Sequence, residues 1–235
     1  MKLGIMQPYF FPYIGYFHLI DRVDQWIVFD VVNYKRKSWM NRNRILHPEE
    51  GWQYVSYPVD KASLSTKIKD IHGREHDNAR AKIVAQLDFF KKKAPYADIA
   101  IDVVNDSFSR CTNHSLVEVC VAGLTVVCER LGIDFDYKVM SELDLGIPPI
   151  SHAGQWALEI SKSLNATEYV NPIGGQQIFD EDEFRRSNIV LTYSDPAVIT
   201  YDASPFIFEP NLSILDMMCW LSPQEIRGQL NLLVE

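Results

Sequence analysis

Most of the short motifs that announce a chemistry are missing from this chain. It has no G-x-G-x-x-G after its first apolar run, no G-x-x-x-x-G-K-[ST], no G-x-S-x-G and no H-E-x-x-H. The standard dinucleotide, P-loop, nucleophile-elbow and zinc-protease readings are therefore excluded. Its cysteines, Cys111, Cys120, Cys128 and Cys219, form no C-x-x-C pair. Cys120 and Cys128 fall on one apolar helical stretch, so the set reads as buried free thiols rather than a metal or redox centre. No apolar run reaches the roughly 18 residues of a membrane span. The start carries Lys2 alone, with Gln7-Pro8 soon after, which is not a signal-peptide pattern and leads to the expectation of a cytoplasmic protein. Positive charge is scarce: 23 Lys and Arg stand against 31 Asp and Glu, a net charge of −8. That balance argues against DNA and general nucleic-acid partners, which need a basic surface.

What is present alternates between strand and helix patterns. The 235 residues suit one domain, residues 1–235. Leu3–Met6, a helix from Gly15 to Arg22, and Trp26–Phe29 have the spacing of a parallel βαβ unit. Tyr54–Val59 and Thr66–Ile71 read as two more strands around a turn. Three helices follow: Asp77–Lys93 capped by Asp77 or Asn78, Tyr96–Phe108, and one opened by Asn113 that stops at Gly132. Phe135–Met140, Thr167–Val170 and Ile189–Tyr193 read as strands. Gly154–Leu164, Asp182–Arg186, Ser213–Leu221 and Pro223–Leu233 read as helices. The expected fold is α/β, a mainly parallel sheet flanked by helices, with a helical insertion over about residues 77–130.

Three segments carry candidate chemistry. The first is Gln7-Pro8-Tyr9-Phe10-Phe11-Pro12-Tyr13-Ile14-Gly15-Tyr16-Phe17-His18, a proline-fixed aromatic loop between a strand and a helix. Open α/β sheets bind ligands at that edge. The second is the basic stretch Lys35, Arg36, Lys37, Arg42 and Arg44, read as a loop, which encloses Trp39, Asn41 and Asn43. The third comprises two later pieces. In Asn171-Pro172-Ile173-Gly174-Gly175 the glycines allow positive φ and close backbone approach to a ligand. In Phe208–Asp216, Ser213 can cap a helix, and Asp216 sits among apolar residues and needs a partner, which the basic stretch can supply. His72 and His76 stand four apart, but Gly73 between them favours loop histidines beside Arg74 over a metal pair. Asp180-Glu181-Asp182-Glu183 reads as the acidic first turn of a helix.

Taken together, Gln7–Phe17, Asp30 through Trp39-Met40-Asn41-Arg42-Asn43-Arg44-Ile45, Ala94-Pro95-Tyr96, Asn171–Gly175, Phe184 and Phe208 through Asp216 resemble the WbqC-like family of bacterial proteins. The resemblance implies a role in O-antigen and other surface-polysaccharide synthesis, with attachment of an amino acid, glycine-like, to an amino sugar. Separately, Pro12–His18 is similar to the proline-to-histidine loop of pantothenate synthetase and related nucleotidyl transferases, which hold ATP at a helix start. Asp21 stands where their second histidine would be.

The leading expectation is an acyl or aminoacyl transferase acting on a nucleotide-linked amino sugar. Lys35, Lys37, Arg42 and Arg44 would meet the diphosphate. Tyr9, Tyr13, Tyr16 or Trp39 would stack on a ring. Gln7, Gly15, Asn41, Asn43, Asn171 and Ser213 complete the expected binding set. The backbone at Gly174 and Gly175 would receive an anion or oxyanion. His18, Asp30 or Asp216 would take a proton from the attacking amine, and only His18 titrates near neutrality without a large shift. The donor is left open between ATP and an activated amino acid, and no metal is expected. The alternatives are an ATP-dependent amide-forming or nucleotidyl-transferase-like enzyme and a non-catalytic binding or scaffolding protein. Expected partners are a nucleotide-linked sugar or other anionic small molecule, and a partner enzyme of the polysaccharide pathway.

Overall fold

The sheet is built from short strands, of which the central ones are apolar and largely buried and the edge ones are partly exposed. The structure, a computed structural model, describes residues 1–233. Five strands, β1 (Lys2–Met6), β2 (Gln25–Val28), β5 (Tyr137–Val139), β6 (Glu168–Pro172) and β7 (Val190–Ser194), pair in parallel in the order β5-β2-β1-β6-β7. Between β2 and β5 lies an antiparallel hairpin, β3 (Arg42–Leu46) and β4 (Trp52–Ser56). The expected α/β class, a mainly parallel sheet with flanking helices, is what the chain adopts.

Strand periodicity divides the core. Leu3, Ile5, Ile27 and Tyr169 face one side, where they meet Leu158 and Ile160 of α5 (Gln155–Ser163) and Phe184 of α6 (Glu181–Arg186). Trp26, Val28 and Val170 face the other. There they join α1 (Ile14–Ile20), α2 (His76–Asp88), α3 (Ala97–Ser109), α4 (Leu116–Leu131), α7 (Ile214–Trp220) and α8 (Pro223–Leu232) in one cluster. From β1 the chain first builds outward through β2 and β5, then returns to add β6 and β7 on the opposite side. The reversal falls between β1 and β6. Their carboxyl ends flank a topological switch point, where connecting loops diverge and leave a crevice.

Caps fix the helix ends. Ser115 accepts the Glu118 N–H at the start of α4, and Gly132, with φ of 64°, closes it in the left-handed region. Ser222 and Glu225 form a capping box at α8, with Pro223 in its first turn. Asp180 caps α6.

Several local expectations are corrected. Thr66–Ile71 is a 3-10 turn over Ile68–Asp70, not a strand. The partner of the 52–56 strand is the basic segment, so Arg42, Asn43 and Arg44 lie on a strand rather than a loop. Helix α4 is capped by Ser115, not Asn113, and α2 follows Glu75, whose φ is 54° and whose side chain makes no cap bond. His76 is not a loop residue. It opens α2, buried, with Nδ1 3.0 Å from the Tyr57 hydroxyl and Nε2 3.1 Å from the Phe108 carbonyl. All four cysteines are free; Cys120, Cys128 and Cys219 are buried and Cys111 is partly exposed. No described helix is long and apolar enough to cross a membrane.

Candidate functional site

The aromatic loop is strained at one residue, and that strain shows how the distant motifs meet. Phe11 has φ of 40°, a left-handed conformation that costs an L-residue roughly 1–2 kcal/mol. Two side chains hold it there through its carbonyl: Asn43 Nδ2 donates at 3.0 Å and Ser213 Oγ at 2.7 Å. Asn43 also donates to the Phe10 carbonyl at 3.1 Å. Backbone bonds tighten the same junction, from Ser213 N–H to Arg44 O, Ile214 N–H to Pro12 O, and Phe10 N–H to Trp39 O. Asn43 and Ser213 thus knit the aromatic loop to the basic strand and to α7, and Asn43 also lines the cleft described next.

The junction borders a cleft of about 540 Å³ at the switch point. Met6, Pro172 and Ser194 reach it from the ends of β1, β6 and β7. Tyr9, Pro12, Tyr13, Gly15 and Tyr16 form one wall, and Trp39, Asn43 and Arg44 another. Ile173 and Gly174 close the third side, with Asp195, Pro196, Val198 and Asn211 completing it. A second recess of about 450 Å³ shares Tyr9 and Trp39 with the cleft and is lined by Gln7, Asn33, Lys35, Lys37, Arg42 and Tyr54. The aromatic loop, the basic segment and the residues after β6 thus meet on one edge.

Arg44 is the distinctive group. Its guanidinium lies 5.3 Å from the Trp39 ring centroid and 4.9 Å from that of Trp52. Its buried Nε has no hydrogen-bond partner among the described residues. Nor does Arg44 take part in any described ion pair. Aromatic packing therefore orients the guanidinium without neutralising it, leaving its donor fork for an anion. Arg42 lies 4.0 Å over Tyr54 and donates to the Lys37 carbonyl at 2.8 Å. Lys35 and Lys37 are exposed.

The tyrosines supply apolar faces and neutral hydroxyls. Burial pushes the Tyr9 and Tyr13 pKa values up, with Tyr13 adding to the first effect and Asp195 to the second. Tyr16 is pushed well up by burial, and its hydroxyl donates to the Gln7 carbonyl at 2.6 Å, which anchors the loop. Gly15 leaves the space in which the Tyr13 ring lies, since a Cβ there would come 2.4 Å from it.

The remaining expected site residues are held mainly by partners within the fold. Asp30 is buried at the end of β2 and accepts from the Ser141 N–H at 3.0 Å and the Ser141 hydroxyl at 2.6 Å. It borders a separate cavity of about 630 Å³ beside α4. Asp216 is buried behind the junction and accepts from the Leu46 N–H at 2.8 Å and the Tyr201 hydroxyl at 2.7 Å. Burial raises its pKa to about 6 against those two bonds. Its partners are these groups, not the basic side chains proposed for it. Asn41 donates to the Tyr57 carbonyl, and Asn171 bridges the Tyr169 hydroxyl and the Pro172 carbonyl. Neither Gly174 nor Gly175 adopts positive φ; they lie in a 3-10 turn, and Gly175 gives room to the Asn171 amide. His18 is buried in α1, 2.9 Å from Ser194 Oγ through Nδ1 and 3.4 Å from the Leu233 carbonyl through Nε2. Both nitrogens are engaged inside the fold, so it does not present one to a phosphate as the nucleotidyl-transferase comparison anticipated.

Sequence reading missed Ser194, Asp195, Pro196, Val198, Tyr54 and Asn33. The usable signal was positional: Ser194-Asp195-Pro196 follows a strand of the same parallel sheet as Met6 and Pro172. Among the described residues no cluster of three His, Cys, Asp or Glu is arranged to hold a metal.

These features define an α/β protein with an aromatic cleft at its switch point and, in the wall, an arginine without an ion pair among the described residues. The chain belongs to the WbqC-like protein family, which it matches over residues 7–228. It is similar to an uncharacterized protein of Mycobacterium tuberculosis, 29% identical over 221 residues, covering 92% of each chain. No solved structure matches it.

Proposed function

We propose that the chain is an acyl or aminoacyl transferase acting on a nucleotide-linked amino sugar in surface-polysaccharide synthesis. The observation that carries the anionic part of this reading is Arg44, which borders the cleft, lies 5.3 and 4.9 Å from the Trp39 and Trp52 ring centroids, and has no acidic partner among the described residues. An arginine fork suits bidentate phosphate contact. Lys35, Lys37 and Arg42, in the adjoining recess, extend that positive wall and leave room for a diphosphate. The faces of Tyr9, Tyr13 and Trp39 suit a base or sugar ring. Asp195, exposed and lining the same cleft, is an acceptor for the ammonium of an amino sugar.

The test is titration calorimetry with UDP- and dTDP-linked amino sugars, with ATP and glycine as separate ligands. An amino sugar nucleotide is expected to bind, and Arg44→Ala to lose that binding. Binding that survives Arg44→Ala unchanged defeats the phosphate assignment. Mass spectrometry of the nucleotide sugar, incubated with glycine and ATP or with an activated glycyl ester, then reads amide formation.

A further inference from the structure

A serine that lines the cleft meets a histidine 176 residues away in the chain. Ser194 is the last residue of β7, paired in register with Pro172 at the end of β6, and both line the cleft. Its Oγ lies 2.9 Å from Nδ1 of His18. The opposite ring nitrogen, Nε2, faces the Leu233 carbonyl at 3.4 Å. A carbonyl only accepts, so the proton belongs on Nε2. Nδ1 is then the bare nitrogen, and the Ser194 hydroxyl donates to it. A nucleophile, a base and a group fixing the base's tautomer are thus arranged in series. The side chains are 4% and 2% exposed, so bulk water does not compete for the contact.

We infer that Ser194 is a nucleophile that carries the acyl group during transfer, with His18 as its general base. This rests on the acyl-transfer reading of the cleft. Ser194 Oγ attacks the carbonyl carbon of an activated acyl ester or thioester while His18 Nδ1 accepts the hydroxyl proton. The carbon–oxygen or carbon–sulfur bond to the leaving group breaks, and that group departs with the proton from His18. The acceptor amine then attacks the acyl-serine. Its proton passes through His18 to the departing Ser194 oxygen, leaving an amide and the free hydroxyl. No electron transfer is involved. Burial holds the His18 pKa below its ordinary 6.5, against the Leu233 carbonyl, which raises it. Arg22 lowers it further and Asp21 raises it, while Arg227 of α8 is paired with Asp21 at 2.6 Å. The imidazole is therefore neutral, and a base, at pH 7.

The probe is p-nitrophenyl acetate with the full chain. The expected result is a burst of nitrophenolate equimolar with protein, and an acetyl group on the peptide containing Ser194. Ser194→Ala abolishes both, while Ser194→Cys keeps acetylation, which separates lost chemistry from lost fold. His18→Gln slows the burst by roughly a hundredfold. It also removes the rise in burst rate with pH whose midpoint in the parent protein falls below 6.5. Absence of a burst from the folded parent protein, or an adduct that persists in Ser194→Ala, overturns the assignment. Calorimetry keeps the two readings apart. Nucleotide-sugar binding without a burst removes only the nucleophile. A burst without such binding upholds Ser194 and removes only the proposed substrate.

Discussion

Two cavities lie along the carboxyl edge of the sheet, and they differ in how their charges are held. In the one beside α4, about 630 Å³, the charges of Asp30, Glu118 and Arg110 are committed, while Lys69 and Glu142 make no described ion pair. Asp30 accepts twice from Ser141. Glu118 accepts from Thr112, Asn113 and His114; burial raises its pKa, but these bonds together hold it below the ordinary range. Arg110 pairs with both oxygens of Glu129 at 2.7 Å. In the smaller cleft Arg44 contacts the rings of Trp39 and Trp52 and makes no ion pair among the described residues. A charge with internal partners holds the chain together, whereas an oriented charge without them is ready for a ligand. Volume does not separate the two cases; hydrogen-bond accounting does.

The sharpest way to break that distinction is to remove one charge of each kind. Asp216 is of the committed kind. Asp216→Ala leaves the buried Leu46 N–H and Tyr201 hydroxyl unpaired and should cost about 3 kcal/mol in urea unfolding. Asp216→Asn keeps an acceptor for Leu46 and can donate to Tyr201, so it should fold nearly as stably. The pH dependence has a definite sign. The folded pKa, about 6, lies above the ordinary 3.8, so the native state holds the proton more tightly. The stability from this linkage is complete below the unfolded value and declines as pH rises through about 6. Asp216→Asn should remove that decline, read as urea midpoints across the same range.

Arg44→Ala is the counterpart. It should weaken nucleotide-sugar binding by roughly a hundredfold, the worth of a charge-assisted pair of hydrogen bonds, and shift stability by less than about 1 kcal/mol. Calorimetry and denaturation on the same sample decide it. A large loss of stability with unchanged affinity would place Arg44 among the structural charges and collapse the contrast.

The sheet was legible because its strands are apolar runs between turn residues, and the switch-point edge follows from strand order. The β3–β4 hairpin was not. On β3 the inward positions alternate as usual, but one of them is Asn43, whose amide is spent on Phe10 and Phe11 carbonyls. A polar inward residue erases the hydrophobic alternation that marks a strand. Asp216 was legible as an acid needing a partner, but not that the partner was Tyr201 or a backbone N–H from β3. Arg44 and Trp39 were legible as a basic, aromatic stretch. The contribution of Trp52, a second ring against the Arg44 guanidinium, depends on the unforeseen strand pairing. Ser194 lies one residue past the strand expected over Ile189–Tyr193, and its relation to His18 exists only once the fold brings α1 to the end of β7.

Trp39 sharpens the comparison at intermediate size. It is 39% exposed, stands between the cleft and the adjoining recess, and backs Arg44. Trp39→Ala should lower affinity about tenfold by removing a stacking face and half of the guanidinium's support. Stability should change by less than about 1 kcal/mol, because so much of the ring is already in water. Quenching of Trp39 fluorescence by the nucleotide sugar, lost in Trp39→Phe, would locate the ligand independently.

The smallest expected effect tests whether the cleft wall is set by packing alone. Helix propensity favours Ala over Gly by about 1 kcal/mol, so Gly15→Ala within α1 should stabilise the chain if propensity ruled. The added Cβ, however, would stand 2.4 Å from the Tyr13 ring. That ring must rotate off the helix, and because Tyr13 lines the cleft the movement alters the cleft wall. The gain in propensity and the cost of moving the ring should nearly cancel, leaving the melting temperature within a few degrees of the parent. Ligand affinity should fall three- to fivefold, equivalent to about 0.6–1 kcal/mol. Tyr13→Ala in the Gly15→Ala background should recover the propensity gain without recovering affinity. If the double variant gains no stability, the Tyr13 ring is not what opposes alanine at position 15.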